Sequence, residues 1–441
     1  MKGLVLNRIK LFFVKCYHTR VGRRVWGLFV KLVNSYYLRR LLKKALNIVE
    51  KLPEDTTVLP KIIKSQSKKN ALVVMPFYGS DAVGKNCDSK IIALKKLGYS
   101  IHTVVYNDSP WDSNSDLWDY TYNLKAIGGK FGQLKRDVNQ QVIADGNGID
   151  DWIDDRAMQF VGALSATNQF DVAMINYVFL SKLSTAVNKD AVIMLDTHDV
   201  FANRNSRMSD IGVTEDKFYF STSQSEESIG LSRSDYIIAI QEAEGEYFRD
   251  TTSSNVIVQP PMIPKNFLDY VPQGGSWLVV GFMASGHYPN IVAVKNLIES
   301  LSRRDHNIRL NVTGTICGAL DELELPKFVK VLGFCESLEE FYASCDLIVN
   351  PDELLSGMKV KCLEALSFGA PLVSTKAGME GIQTSKSYHQ LESADECAEF
   401  IALLDKSSLT SMAKDSQRVF EAFNDRYDLG STLKVVLKSY E

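Results

Sequence analysis

Cysteine is scarce and unpatterned in this chain: only 7 of 441 residues, at Cys16, Cys87, Cys317, Cys335, Cys345, Cys362 and Cys397. No two form a C-x-x-C pair and no Cys/His cluster has ligand spacing, so a zinc site and a disulfide scaffold are both excluded. The thiols read as reduced, most of them small core residues of a cytoplasmic protein. An uninterrupted apolar run of about 18 residues is also lacking, which excludes a spanning helix. Leu4–Val14 is apolar, but Arg8 and Lys10 break it and no small-residue cleavage site follows, so it does not read as a secretory signal. Net charge is nearly absent too, at -3, which argues against a dedicated nucleic-acid binder. No G-K-[ST] closes a glycine loop, so there is no P-loop. No fixed-period repeat and no low-complexity tract occurs.

The small net charge hides a segregation. Residues 1–51 carry Lys2, Arg8, Lys10, Lys15, Arg20, Arg23, Arg24, Lys31, Arg39, Arg40, Lys43, Lys44 and Lys51 against one acid, Glu50. Leu28, Leu32 and Tyr36 recur there at helical spacing, with Trp26, Phe29 and Tyr37 beside them. Basic amphipathic helices rich in such aromatics suit an anionic membrane surface, where each cation contributes roughly 1 kcal/mol. The expectation is a basic helical segment over 1–52, peripheral at the inner face of the membrane. The competing reading packs these helices on the acidic body.

A polar stretch comes next, and then strands alternate with helices. Ala71–Met75, Ser100–Tyr106, Asp171–Asn176, Ala191–Leu195, Asp235–Ile240 and Val256–Val258 read as strands, with helices at Val83–Leu97 and Asp151–Thr167. The Pro/Gly-rich span from Pro260 to Gly275 separates a second series. Its strands are Ser276–Val280, Arg309–Thr313, Val329–Leu332, Leu347–Val349 and Pro371–Ser374. Its helices are Asn290–Leu301, Ala394–Leu404 and Leu409–Phe423. Such alternation implies α/β architecture with parallel sheets covered on both faces. The boundaries expected are 53–262 for the first Rossmann-like half and 274–408 for the second, with a C-terminal helix over 409–441.

The stretch from Asn350 to Pro371 carries the most chemistry. It follows a buried apolar strand and opens a short helix on which Gly357, Lys361 and Glu364 fall at i, i+4 and i+7, on one face. A bare glycine at a helix start, then a cation, then a carboxylate suits a nucleoside diphosphate. The helix N–H groups and Lys361 would meet the phosphates, and Glu364 would accept from ribose hydroxyls. A second candidate is the loop from Gly281 to Gly286, at the carboxyl end of a strand, where doubly wound sheets bind ligands. Paired acids at Asp150-Asp151 and Asp154-Asp155 read as a solvated helix start, where carboxylates favour the dipole.

Several spaced elements then agree in order: Gly281 with Pro289-Asn290, Val312-Thr313-Gly314, Val331-Leu332-Gly333-Phe334, Ser356-Gly357-Met358-Lys359-Val360-Lys361-Cys362-Leu363-Glu364-Ala365-Leu366, Gly369-Ala370-Pro371, and Gly378-Met379-Glu380-Gly381. Over about 276–385 this resembles the donor-binding domain of GT-B glycosyltransferases of family 4 (glycosyl transferases group 1). The resemblance implies a GT-B fold, two Rossmann-like domains facing a cleft, with a C-terminal helix crossing back to the first. It implies a retaining, metal-independent hexosyltransferase that needs no cofactor and uses a nucleoside diphosphate sugar as substrate. Lys361 would contact the diphosphate and Glu364 the ribose, while the backbone at Gly281 and Gly357 approaches the phosphates. Many members carry a Glu where this chain has Ser356. His198, in Leu195-Asp196-Thr197-His198-Asp199, matches a strand-end His that faces the sugar, and with Lys361 is the catalytic candidate. Gly79 and Gly84 match loosely a loop bordering the acceptor. The expected function is sugar transfer to a hydroxyl of a glycan or lipid-linked glycan, in cell-surface polysaccharide synthesis. The alternatives are a nucleotide-sugar epimerase of the same fold and a non-catalytic, membrane-bound scaffold.

Overall fold

The computed structural model describes residues 59–78, 82–106, 117–124, 132–210, 212–321, 323–353 and 357–438. The basic segment 1–52, Gly79 and Ser356 lie outside the described residues, and so do the expectations placed on them. Val58–Cys317 and Leu323–Glu441 together form one compact unit.

The first half holds β1 (Asn70–Met75), α1 (Ala82–Lys96), β2 (Ser100–Val105), β3 (Tyr120–Asn123), α2 (Asp155–Asn168), β4 (Val172–Asn176) and β5 (Val192–Asp196). It continues through α3 (Arg204–Asp210), α4 (Gln224–Leu231), β6 (Tyr236–Ala239), α5 (Glu242–Thr251) and β7 (Asn255–Val258). The seven strands lie in the order β3-β2-β1-β4-β5-β6-β7, all parallel. β1 and β4 are buried at every residue, as central strands covered on both faces must be. One face packs on Trp152, Phe160, Phe179 and Phe220, the other on Ile91 and Leu94 of α1. α1 stops where Gly98 takes φ +89, the left-handed conformation a glycine adopts without steric cost. α2 starts later than its acids suggest: Asp154 caps it by accepting from the Arg156 N–H at 2.7 Å. Two of the other acids are held by cations, Asp150 by Arg233 at 2.6 Å and Asp151 by Lys135 at 2.9 Å.

The second half holds β8 (Leu278–Met283), α6 (Tyr288–Ser302), β9 (Ile308–Thr313), β10 (Val329–Gly333), α7 (Leu338–Ala343), β11 (Leu347–Asn350), α8 (Val360–Ser367), β12 (Leu372–Ser374) and α9 (Ala394–Ala402). Its five parallel strands run β10-β9-β8-β11-β12. The Pro/Gly-rich span between the halves is tied down along much of its length. From Asn266 it is stitched to the second half, with Asn266 N–H donating to the Ser367 carbonyl at 2.9 Å and Gln273 N–H to Asp346 at 2.5 Å.

Two helices end the chain. α10 (Leu409–Arg426) lays Val419, Phe420 and Phe423 on α8 in the second core. α11 (Leu429–Lys438) sets Leu429, Leu433 and Leu437 into the first half's core beside α1. The return to the first half is therefore made by α11, a helix that the sequence pattern does not separate from the one before it. Among the described residues no helix is long and apolar enough to cross a membrane.

Candidate functional site

Strand order reverses between β8 and β11 in the second sheet, and such switch points open crevices at the strands' carboxyl ends. The groups gathered there are largely cationic. Asp352, just past β11, is buried and sits 3.8 Å from Lys359 Nζ and 3.7 Å from Lys361 Nζ. Lys361 also donates to Asn290 Oδ1 at 2.7 Å and lies 5.4 Å over the Phe282 ring. Burial pushes the Lys361 ammonium below its ordinary pKa, and the Asp352 charge opposes that. His287, in the loop after β8, is lowered by burial first, then by the charges of Arg204, Lys359 and Lys361. Arg204 belongs to the first half, opening α3, and pairs with Asp199 at 2.9 Å. Two lysines thus share one carboxylate, beside an arginine reaching in from the other half. Such a group carries excess positive charge and accommodates an anion.

The helix expected to open at Gly357 opens at Val360 instead, with Lys359 as its N-cap residue. Gly357 precedes it in a left-handed conformation, φ +66, open to a glycine and strained for other residues. Lys361 and Glu364 therefore sit at i and i+3 of the helix, and Gly357 is not on their face. Glu364 is buried, and its Oε1 accepts from the Tyr342 hydroxyl at 3.1 Å. Tyr342 is itself fixed by stacking on Phe368 at 4.5 Å.

Gly281 answers to packing. A Cβ there would stand 2.7 Å from Cys345 Sγ, 2.8 Å from Ile348 Cδ1 and 2.9 Å from the Phe341 ring. That accounts for a glycine without any ligand, because α7 and β11 close directly over it. Gly281→Ala is expected to destabilise the protein by about 1–3 kcal/mol through overpacking. Nucleotide affinity of the folded fraction should stay unchanged. Chemical denaturation and calorimetry on the same sample separate the two effects.

In the first sheet the reversal falls between β1 and β4. His198 follows β5 with φ +62, and its ring stacks on Tyr177 at 4.4 Å. Nε2 lies 2.9 Å from Asn176 Oδ1 and Nδ1 lies 3.3 Å from Asn86 Nδ2. With the amides so oriented, Nε2 carries the proton and Nδ1 accepts. Both nitrogens are therefore engaged inside the first half. Behind the ring, Asp196 is wholly buried and paired with the equally buried Lys90, which donates to Asn86 Oδ1 at 2.8 Å. Gly84 lies in the first turn of α1 rather than in a loop.

A third cluster lies on the seam between the halves. Gln241 Nε2, just before α5, is 3.4 Å from Glu244 Oε1 and 3.4 Å from Glu380 Oε1. Burial, helped by the Asp199 charge, raises the Glu244 carboxyl to about 8, so it is mostly protonated at neutral pH. Sequence reasoning misses this cluster, and it misses Arg204, His287 and Asp352 as site residues. Arg204 and Glu244 look like ordinary helix-surface charges until the two halves meet, and no local spacing marks them.

The segment that carries the motifs, residues 278–405, matches the family model described as glycosyl transferases group 1. Over that segment the chain is similar to glycosyl transferases group 1, and its two Rossmann-like halves have the GT-B architecture. No curated protein matches the sequence. Among solved structures, a sucrose-phosphate synthase from Thermosynechococcus elongatus shares 12% identity and a TM-score of 0.61, covering 84% of this chain and 99% of its own. TarM of S. aureus aligns at TM-score 0.60 and 10% identity, over 85% of this chain and 99% of its own. HepE of Anabaena, solved with UDP and glucose, aligns at 0.57 and 14%, over 84% and 100%. At these identities the likeness is one of fold, two facing Rossmann-like halves, as the motifs implied.

Proposed function

We propose that the protein transfers a sugar from a nucleoside diphosphate donor to a hydroxyl of a glycan or lipid-linked glycan, with retention and without a metal. The carrying observation is the cation group of Lys359, Lys361 and Arg204 at the second sheet's switch point, with the His287 imidazole beside it. A diphosphate leaving group gains negative charge as the glycosidic bond breaks. Fixed cations in a closed cleft stabilise that charge without reorganising, which is the task a divalent ion would otherwise perform. Glu364, anchored by Tyr342, is the ribose acceptor. His198 is assigned as a positioning group: its nitrogens already serve Asn176 and Asn86, so the ring shapes the cleft wall and holds the strand end. Gly357 lets the chain turn into α8. HepE, which shares the fold, was solved in complex with UDP and glucose, in keeping with a nucleoside diphosphate as ligand. The basic segment 1–51 is proposed to hold the enzyme at an anionic membrane surface, with polysaccharide assembly there as the setting.

The reading is tested by calorimetry with UDP, GDP and ADP, followed by hydrolysis assays with the matching sugar nucleotides. A nucleoside diphosphate should bind, and its sugar conjugate should be slowly hydrolysed. Interconversion of the free donor, with no transfer, would move the assignment to an epimerase. Glu364→Gln keeps the Tyr342 contact but loses the charge. It should weaken nucleoside diphosphate binding about 10- to 100-fold, the loss expected for a hydrogen bond to an ionised acceptor. Unaltered affinity would remove Glu364 from the ribose site.

A further inference from the structure

We propose that Glu244 and Glu380, set across the seam between the halves and bridged by the Gln241 amide, hold the hydroxyl groups of the donor's sugar. This rests on the donor-site reading above and extends it to the part of the ligand that the cations do not address. The first support is unfilled hydrogen-bonding capacity. Glu244 is only 5% exposed, yet its Oε2 is buried without a hydrogen-bond partner, and so is Glu380 Oε2. A buried acceptor left unmade carries a desolvation cost that native proteins rarely leave standing. Both bonds from Gln241 are long, at 3.4 Å, so the amide is weakly held and exchangeable for ligand hydroxyls.

The second support is position. A Cβ on Gly357 would stand 4.0 Å from Glu244 Oε1, and Gly357 leads directly into Lys359. The Lys359 charge acts on Glu380, and the Asp199 charge, shared with Arg204, acts on both glutamates. The pair therefore borders the cation group, where a sugar attached to a bound diphosphate would extend. The third support is chemical fit. An ionised carboxylate on this seam repels phosphate. With one carboxyl neutral the two carboxyls and the amide both donate and accept, which matches a ring of hydroxyls better than a metal ion or an ammonium group. The seam also closes tightly here. Gly381, at φ +80, passes with its Cα facing Gln241, where a Cβ would lie 3.4 Å away. Closure of the halves and capture of the sugar thus involve the same residues.

The experiment uses the full chain with E244M, which removes the carboxyl's hydrogen bonds at similar length, and the near-isosteric E380Q, and calorimetry with UDP against UDP-glucose and UDP-N-acetylglucosamine, and GDP against GDP-mannose. In each variant, affinity for the bare nucleoside diphosphate should stay within about two-fold. Affinity for the preferred sugar nucleotide should fall about ten-fold or more, as for loss of a hydrogen bond to a charged or buried acceptor. The half-buried Glu380 provides a second variant that does not depend on E244M folding. Unchanged affinity for sugar nucleotides in both variants overturns the inference alone. Equal losses for bare and sugar-bearing nucleotides also overturn it, marking the pair as a latch between the halves. Failure of the unaltered protein to bind any nucleoside diphosphate overturns the donor-site reading and this inference together.

Discussion

Replacing Lys361 by methionine is expected to lower kcat by about 10²–10³-fold, the range seen when one preorganised group facing developing charge is removed. The Michaelis constant should rise far less. Geometry at the second sheet's switch point is the reason. Lys361 is held by Asn290 at 2.7 Å and shares Asp352 with Lys359, so its ammonium is fixed before the donor arrives. Burial already lowers its pKa, so its charged form is poorly solvated and gains most from an anion that grows during reaction. An interaction made mainly in the transition state shows in kcat, whereas uniform binding shows in KM. Methionine keeps most of the aliphatic stem over Phe282, so packing is largely conserved. Steady-state kinetics with the preferred donor decide the matter, and a pure KM effect would reduce Lys361 to a ground-state binder.

The second large effect concerns stability. Lys90→Met should destabilise the protein by about 3–5 kcal/mol, because it leaves Asp196 buried without its counter-charge. Both side chains have no exposure, and Asp196 Oδ1 already lacks a hydrogen-bond partner. The loss should be largely recovered in the double variant Lys90→Met with Asp196→Asn, since no unpaired buried charge then remains. Urea denaturation of the two variants measures this. A small effect of the single change would mean that water reaches Asp196. The same network orients His198 through Asn86 and Asn176, so folded Lys90→Met should also lose turnover.

Legibility varies with the range of the interactions involved. The buried strands can be read because a central parallel strand needs apolar residues on both faces, as Ala71–Met75 and Leu347–Val349 show. β3 cannot, because Tyr120–Asn123 is an edge strand of mixed character in a stretch without clear period. The start of α8 lies three residues beyond the expected one. Gly357 marks a left-handed turn and not a first helical turn, and the two look alike in sequence. Gly281 and Gly357 share one expectation, yet one is required by the packing of Cys345 and Phe341 and the other by a positive φ. α11 is hidden because Arg426, Tyr427 and Asp428 interrupt α10 only by a change of direction.

The sequence by itself determined the α/β class, the two halves, and the likeness of the second half to glycosyl transferases group 1. Those come from periodicity and from side chains close together along the chain, where local geometry dictates neighbours. It also placed Lys361 and Glu364 on one helix. Only the tertiary structure decided what completes the site. Arg204 joins the lysines, Glu244 meets Glu380, and His198 turns its nitrogens inward to Asn176 and Asn86. These meetings link residues far apart in sequence, some of them across the seam. Their energies depend on burial and through-space charge, and a linear chain encodes neither until it has folded.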